Sequence, residues 1–302
     1  MKNAWLIYDR EGAERNRDYI EYHHEVGARY DITFNFVYAE DVPTALSQIE
    51  KSDTEAQHQR GAHVYPDFAI VRTIDPELNT MLEKNRIPTY NNSKVSRITN
   101  HKYHCIEYIK QNTTVPTIPS TLLTGNDTPR YPDIIRSLTD RVGDVIKPVS
   151  GHGGAGVMRI QESGISENEI KEYLLSGGLV LQPFIDGPGE DIRVYVIGKR
   201  IIGAVRRHAM GDEFRANASL GGHIERYTLS EKEIDYVKQI IQCFDFGMVG
   251  IDFIIDNNNQ FIFNEIEDVV GARMLYKTHP EIDILDNYIR YIITQIKSKD
   301  PE

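Results

Sequence analysis

Cysteine is scarce in this chain of 302 residues: there are two, Cys105 and Cys243, far apart along the sequence. No C-x-x-C spacing occurs, so neither a disulfide framework nor a zinc knuckle is indicated. Long apolar runs are also missing, because nothing approaches the roughly 20 residues that a membrane span needs. We therefore expect two reduced thiols and no membrane partner.

An excess of positive charge is missing as well, since 34 Lys and Arg stand against 45 Asp and Glu, for a net charge of -11. Nucleic-acid binders usually carry a basic surface, so we expect no nucleic-acid partner, although a local basic pocket is compatible with this balance. The first apolar segment, residues 4–8, has no basic lead and stops at Asp9, which is typical of a strand rather than an export signal. We expect a cytoplasmic protein.

The first ninety or so residues alternate between strand-like and helix-like patterns. Residues 4–8, 32–37 and 68–71 have the composition of strands, and apolar residues recur at helical spacing between Tyr19 and Tyr30. Asp75-Pro76 is typical of a helix start, with Asp as N-cap and Pro in the first turn. Strands separated by helices predict a small α/β domain with a parallel sheet.

A different pattern begins near residue 99, where we place a domain boundary. Residues 99–109 have a helical pattern with Cys105, Ile106 and Ile109 on one face. From residue 144 onward, short strands and glycine turns predict antiparallel β structure, interrupted by a helix over residues 230–244.

The most informative segment is a lysine followed by a glycine-rich loop, Lys147-Pro148-Val149-Ser150-Gly151-His152-Gly153-Gly154-Ala155-Gly156. Glycines allow backbone N–H groups to approach anionic oxygens, and an ammonium group adds a charge that phosphate binds well. The segment therefore predicts a nucleotide-phosphate site, with a glycine turn that binds no ligand as the alternative.

Other glycine motifs fit this segment less well. A Walker loop places its lysine after the glycines. A kinase needs an H-R-D element, which this sequence lacks, and its lysine falls downstream of the glycines. Gly151, Gly153 and Gly156 satisfy G-x-G-x-x-G, but a dinucleotide-binding loop must open a helix, whereas residues 157–160 have the pattern of a strand.

Three carboxylates lie in a predicted β-hairpin around the polar turn at residues 257–260. If Asp256 pairs with Phe261, Asp252 lies directly opposite Glu265, and Glu267 is two residues further on the same face. Carboxylates so close together require a neutralising cation, and hard oxygen ligands favour Mg²⁺. The alternative is a solvent-exposed acidic edge strand, and a slip of one residue would separate the acids.

Another predicted hairpin turns at Gly198-Lys199. Its register makes Arg193 and Arg206 diagonal neighbours on one face, where two guanidinium groups could clamp a carboxylate or phosphate. The alternative is a pair of surface arginines, with Asp191 as the ion-pair partner of Arg206.

In order and spacing, these segments resemble the ATP-grasp carboxylate–amine ligases, specifically the RimK-like branch that adds amino acids to a peptide or protein carboxyl terminus. The resemblance covers nearly the whole chain and is strongest from about Asn91 to Lys277. The matching segments are Asn91-Asn92-Ser93, Lys102, Lys147-Pro148 with its loop, Gln182-Pro183-Phe184-Ile185, Asp191-Ile192-Arg193, Arg206-Arg207, Phe214-Arg215-Ala216-Asn217 before Gly221-Gly222, Asp252, Glu265 and Glu267.

The resemblance implies an ATP-grasp fold of class α/β (α+β), with a parallel α/β lobe followed by two antiparallel-sheet lobes that hold nucleotide between them. It implies an N-terminal domain over residues 1–98, a central subdomain with the glycine-rich lid loop over 99–180, and a C-terminal subdomain with the metal site over 181–302. The implied reaction converts a carboxylate with ATP into an acyl phosphate, which an amine then attacks.

Roles for individual residues follow from the same resemblance. Lys102 and Lys147 would hold the α- and β-phosphates, and the loop of Ser150, Gly151, Gly153 and Gly154 would cover the γ-phosphate. The further implied assignments are Gln182, Pro183, Phe184 and Ile185 for adenine, Glu190 or Asp191 for ribose, Asp252, Glu265 and Glu267 for two Mg²⁺ ions (with Mn²⁺ as an alternative), and Arg193, Arg206 and Asn217 for the phosphoryl group and the carboxylate.

The sequence departs from the family in its last metal motif, which is usually Glu-x-Asn followed by a proline–glycine turn. Here Glu265-Ile266-Glu267 is followed by a different turn that ends at Arg273. The expected partners are therefore a carboxylate of unspecified type (a peptide, a protein tail or a small acid) and an amino acid or amine; a homo-oligomer stays open. Two other functions remain: a ligase of free amino acids resembling D-alanine–D-alanine ligases, and an ATP-binding regulator without catalysis.

Overall fold

The computed structural model describes residues 1–54, 65–124, 138, 141–151, 154–161, 166–175, 177–209 and 223–298. Two predicted site residues, Gly153 and Asn217, lie outside these ranges. The chain divides into two compact units, one of Met1–Ser96, Asp245–Met248 and Asp283–Glu302, the other of Arg97–Phe244 and Val249–Ile282. The predicted boundaries at residues 98 and 180 stay predictions.

The first unit is built on a parallel sheet in the order β2-β1-β3-β4, as the alternating pattern predicts. Its strands are β1 (Lys2–Tyr8), β2 (Ile32–Tyr38), β3 (Phe68–Val71) and β4 (Thr89–Tyr90). Its helices are α1 (Arg10–Arg15), α2 (Arg17–Ala28), α3 (Val42–Thr54), α4 (Pro76–Lys84), α5 (Ser93–Thr99), which runs past the boundary, and α10 (Ile284–Lys297).

Local sequence signals account for several of these elements. The Asp75 side chain accepts hydrogen bonds from the backbone N–H groups of Glu77 and Leu78, so α4 begins where the Asp-Pro pair predicts. Trp5, the single tryptophan, lies in a core cluster with residues of α3 and α4 such as Leu46 and Leu82.

The second unit contains two antiparallel sheets, which agrees with the change of pattern after residue 99. One has the order β5-β8-β6-β7, the other β11-β10-β9-β12-β13. The strands are β5 (Thr121–Leu123), β6 (Val145–Pro148), β7 (Met158–Arg159), β8 (Leu179–Gln182), β9 (Glu190–Ile197), β10 (Arg200–His208), β11 (Ile224–Tyr227), β12 (Met248–Ile255) and β13 (Phe261–Glu267). The helices are α6 (Lys102–Asn112), α7 (Glu167–Leu175), α8 (Glu231–Gln242) and α9 (Arg273–Thr278).

The helical pattern over residues 99–109 belongs to two helices rather than one. Thr99 ends α5, and α6 begins at Lys102 because the His101 side chain accepts a hydrogen bond from the His104 backbone N–H and caps it. After the glycine-rich loop the chain forms β7, which pairs antiparallel with β6. This confirms the strand expected there and excludes a dinucleotide-type loop that opens a helix.

The fold class is therefore α/β with one parallel and two antiparallel sheets, as predicted. Across the described parts of the chain, no helix has both the length and the apolar character required to cross a bilayer.

A buried asparagine ties a distant segment into the first unit. The Asn91 side chain is 4% exposed, donates to the Met248 carbonyl at 3.0 Å and accepts from the Gly247 backbone N–H at 2.6 Å. Replacing it with alanine leaves two buried backbone groups without these partners.

We expect Asn91→Ala to lower the free energy of unfolding of this unit by about 1–3 kcal/mol. Trp5 fluorescence during urea unfolding reports on the unit directly. The matched control is Asn35→Ala on β2, where the side chain is exposed and the change should stay within about 0.5 kcal/mol. Equal effects of the two substitutions would contradict this role of Asn91.

Candidate active site

Three carboxylates converge on the hairpin of β12 and β13. Asp252 lies directly opposite Glu265, and Glu267 follows two residues later on β13. Carboxylate oxygens of the three side chains lie within 4.8 Å of one another. The predicted proximity of the three carboxylates is therefore observed.

The predicted pairing at the hairpin turn is wrong by one residue. Ile255, not Asp256, pairs with Phe261. The register shifts between Asp252 and Phe253, where Asn264 is the extra residue of a β-bulge, and beyond it Asp252 again faces Glu265. The bulge thus aligns the acids although the turn is not the predicted one.

Asp252 is the buried centre of an ion cluster. Its side chain is 1% exposed; Arg193 donates to both carboxylate oxygens at 2.8 and 2.7 Å, and Arg207 donates to Oδ2 at 2.7 Å. Burial alone would raise the pKa of Asp252, but the two guanidinium groups outweigh burial and hold the pKa at about 2. Arg193 also pairs with Glu267 at 2.8 Å.

Arg207, and not Arg206, is the second arginine beside Arg193, so the predicted register of this hairpin is wrong. Ile202 is an extra residue between the pairs Ile201–Val196 and Gly203–Tyr195, and Asp191 therefore lies opposite Arg207. Arg207 forms ion pairs with Asp191 and Asp252.

Because neighbouring residues of a strand point to opposite faces, Arg206 lies on the other face of the sheet. There it pairs with Glu190 at 3.5 Å and Glu225 at 3.4 Å, and its guanidinium lies 4.7 Å from the Tyr227 ring centroid.

Two lysines from other elements reach the same carboxylate cluster. The Lys102 Nζ, at the start of α6, lies 3.9 Å from Glu265 Oε2. The Lys147 Nζ, on β6, donates to Asn264 Oδ1 at 2.9 Å. Burial lowers the pKa of Lys147 to about 8, with Glu265 opposing and Lys102 adding to the shift. Ammonium groups and carboxylates from separate elements thus meet at one point.

The start of the glycine-rich loop is hydrogen-bonded to Lys102. Lys102 Nζ donates to the Gly151 carbonyl at 2.5 Å, and the Lys102 backbone N–H donates to Val149. Gly151 and Gly154 have φ values of +114° and +75°, which favour glycine. Ser150 is exposed beside them.

The four residues predicted to contact adenine end β8 and begin the following loop. Gln182 is 1% exposed and donates to Ser120 Oγ at 2.9 Å, while its buried Oε1 has no hydrogen-bond partner in the described residues. Pro183, Phe184 and Ile185 are half-buried.

The two residues considered for ribose separate onto opposite faces. Asp191 shares the face of Arg207 and Asp252, and burial raises its pKa to about 7, opposed by Arg207 and reinforced by Asp252. Glu190 lies on the other face, where it contacts His208 and Arg206.

The donor set of Asp252, Glu265 and Glu267 fits a magnesium ion, because Mg²⁺ prefers hard oxygen ligands. An ionised carboxylate offers about four lone-pair positions. Three hydrogen bonds from Arg193 and Arg207 occupy three of those of Asp252, which leaves one on Oδ1 for a metal bond.

Two contributors were missed at the sequence level. Arg207 belongs to the pair Arg206-Arg207, and the one-residue bulge at Ile202 decides which of the two shares the face of Arg193. Asn264 lies between the predicted strand core and Glu265, and no residue pattern marks it as the extra residue.

Comparisons with known proteins identify the family of the chain. A family model described as the RimK-like ATP-grasp domain matches residues 82–292. The uncharacterized protein MG011 of Mycoplasma genitalium is 30% identical over 217 residues, which cover 70% of this chain and 70% of that protein. A probable alpha-L-glutamate ligase of Histophilus somni is 32% identical over 156 residues, 51% of each chain.

A solved structure shares the fold. The ATP-grasp ligase PsnB, complexed with a phosphomimetic variant of its minimal precursor, Mg and ADP, has a TM-score of 0.66 and 16% identity, with 97% of this chain and 98% of that chain covered.

The family model and the relatives named as ligases define an ATP-binding enzyme of the ligase class. The chain belongs to the RimK-like ATP-grasp family, whose members act with ATP and magnesium on a carboxylate and an amine.

The contrast between the two neighbouring arginines can be tested. Arg207→Met removes a buried partner of two acids, and we expect a loss of about 3–5 kcal/mol of unfolding free energy. Arg206→Met removes half-buried, long ion pairs and should cost about 0–1 kcal/mol. Urea unfolding followed by far-ultraviolet circular dichroism measures both, and a larger loss for Arg206→Met would reverse the assignment.

Proposed function

We propose that this protein is an ATP- and Mg²⁺-dependent carboxylate–amine ligase that forms an amide bond through an acyl-phosphate intermediate. The observation that carries the proposal is the convergence of Lys102 and Lys147 on the hairpin that bears Asp252 and Glu265. Phosphoryl transfer depends mainly on positioning and on neutralising developing charge, which such a cluster provides.

Lys102 and Lys147 bind phosphate oxygens of ATP in this proposal. Their hydrogen-bond partners, a loop carbonyl and the Asn264 side chain, are neutral acceptors that a phosphate can replace, while Glu265 lies 3.9 Å from Lys102. The loop at Ser150, Gly151 and Gly154, together with Gly153, covers the γ-phosphate and excludes water, because an acyl phosphate is readily hydrolysed.

Asp252, Glu265 and Glu267 would hold two magnesium ions, which supply neutralisation of the phosphate charge. Arg193 and Arg207 fix the orientation of Asp252 and offset part of the negative charge of the acids. Asn217 keeps its predicted role at the phosphoryl group and the carboxylate. Arg206 lies on the opposite face of the sheet with Glu190 and Glu225, so Arg207 takes its predicted place beside Arg193.

The proposed chemistry has two steps. A carboxylate oxygen of the substrate attacks the γ-phosphorus of ATP; the bond to the β-phosphate oxygen breaks and ADP leaves. The amine nitrogen then attacks the acyl carbon, the carbon–oxygen bond to phosphate breaks, and the amine loses a proton. In this proposal the guanidinium of Arg193 stabilises the negative charge of the transferred phosphoryl group.

We propose adenine at residues 182–185, where Gln182 Oε1, which has no hydrogen-bond partner among the described residues, can accept a hydrogen bond from an amino group. For ribose, Asp191 and Glu190 remain the two candidates, each already engaged by an arginine. For the amine, the name of the Histophilus somni relative supports an α-amino acid, with L-glutamate as the first to test.

Hydroxylamine trapping tests the proposal directly. Incubation with Mg-ATP, hydroxylamine and a panel of acids, which includes free amino acids, peptides and small dicarboxylates, should give a hydroxamate and ADP with at least one acid. The acid that reacts also distinguishes a peptide-terminus ligase from a ligase of two free amino acids. ADP release without any hydroxamate or amide would contradict the ligase function.

We expect Lys147→Ala to lower kcat/KM for hydroxamate formation by about 10²–10³-fold, because a charge that faces the phosphates is removed. The matched control is Lys238→Ala, at an exposed position of α8, which should retain wild-type turnover. Full activity of a folded Lys147→Ala enzyme would refute the phosphate role of this lysine.

A further inference from the structure

A second cluster of ligand-type side chains lies at the end of the β10–β11 pair. His208 is the last residue of β10, and its backbone N–H donates to the His223 carbonyl at 2.9 Å. Glu225, two residues beyond His223, is paired with Arg206. By strand alternation these side chains share the face of Arg206, opposite the face of Arg207 and Asp252. The cluster is therefore separate from the proposed phosphate site.

The spacing of the donor atoms fits a metal ion. One ligand atom each from His208, His223 and Glu225 lies within 4.8 Å of the others. The His208 Nε2 and Glu225 Oε1 are 3.4 Å apart. Two ligands at tetrahedral Zn²⁺ with bonds of about 2.0–2.1 Å are separated by about 3.3 Å, so the observed distance matches a pair of metal ligands.

The other ring nitrogen of His208 has the partner that a metal-binding histidine requires. His208 Nδ1 lies 3.2 Å from Glu190 Oε1. A histidine that binds metal through one nitrogen usually donates its other N–H to a carboxylate, which fixes the tautomer and the ring orientation. Arg206 in turn contacts the second oxygen of Glu190 at 3.5 Å.

We propose that His208, His223 and Glu225 bind a divalent first-row transition-metal ion, with Zn²⁺ as the best match, and that Glu190 orients His208. Two imidazoles and one carboxylate favour such ions over Mg²⁺, and three protein ligands leave a fourth position for water. A bound ion would link β10 to β11 at the end of the pair where β10 finishes and β11 begins.

Arg206 competes with a metal ion for Glu225, because its Nη1 lies 3.4 Å from Glu225 Oε1. That distance is long for a charge-assisted hydrogen bond. With Glu225 on a metal, the guanidinium keeps its contacts with Glu190 and the Tyr227 ring. A simple ion-pair cluster without metal is the alternative outcome of the experiment.

Calorimetric titration of the full chain with ZnCl₂, under saturating MgCl₂ so that the acidic hairpin site is occupied, measures this binding. We expect one Zn²⁺ ion per chain, with affinity at least tenfold lower in His208→Gln and His223→Gln and about tenfold lower in Glu190→Gln. His24→Gln, at an exposed position of α2, is the matched control and should bind as the wild type does.

A measurement on the unmodified protein avoids dependence on the folding of the variants. Zn²⁺ should protect His208 and His223 from carbethoxylation by diethyl pyrocarbonate, mapped by mass spectrometry, while His24 stays reactive. No Zn²⁺ uptake, unchanged affinity in the two histidine variants, or equal modification with and without Zn²⁺ would each overturn the proposal.

Discussion

The buried carboxylate of Asp252 is the interaction on which the second unit's site depends. It is held by Arg193 from β9 and Arg207 from β10 while it stands on β12 itself. Removing charges from water is costly, so such a cluster is stable only while each charge retains its partners. The positions of Glu267 and Asp191 are thereby coupled to each other through the two guanidinium groups and Asp252.

This cluster also explains how a dense set of acids coexists with the two lysines. Glu267 shares Arg193 with Asp252, and Glu265 faces Lys102. Much of the negative charge is compensated by side chains rather than by solvent. A ligand that brings phosphate and magnesium together can therefore exchange partners with the protein without exposing an isolated charge.

Much of the architecture was predictable, because it depends on local patterns. The Asp-Pro cap of α4, the strand after the glycine-rich loop and the Gly198-Lys199 turn follow from single residues or short periodicities. The types of residue that meet in the candidate site were predictable, since the phosphate and magnesium chemistry proposed for it uses lysine, glycine and carboxylates. The face on which a side chain lies was less predictable, because Ile202 and Asn264 are inserted without a marker in the sequence, and each shifts its strand by one residue.

The extra residue at Asn264 has a consequence for anyone who aligns this protein with its relatives. An ungapped alignment through β13 compares outward-facing positions of one protein with inward-facing positions of another wherever the relative has a regular strand. Two positions on this strand are equivalent when their side chains lie on the same face of the sheet. Counting residues from the turn does not identify such positions.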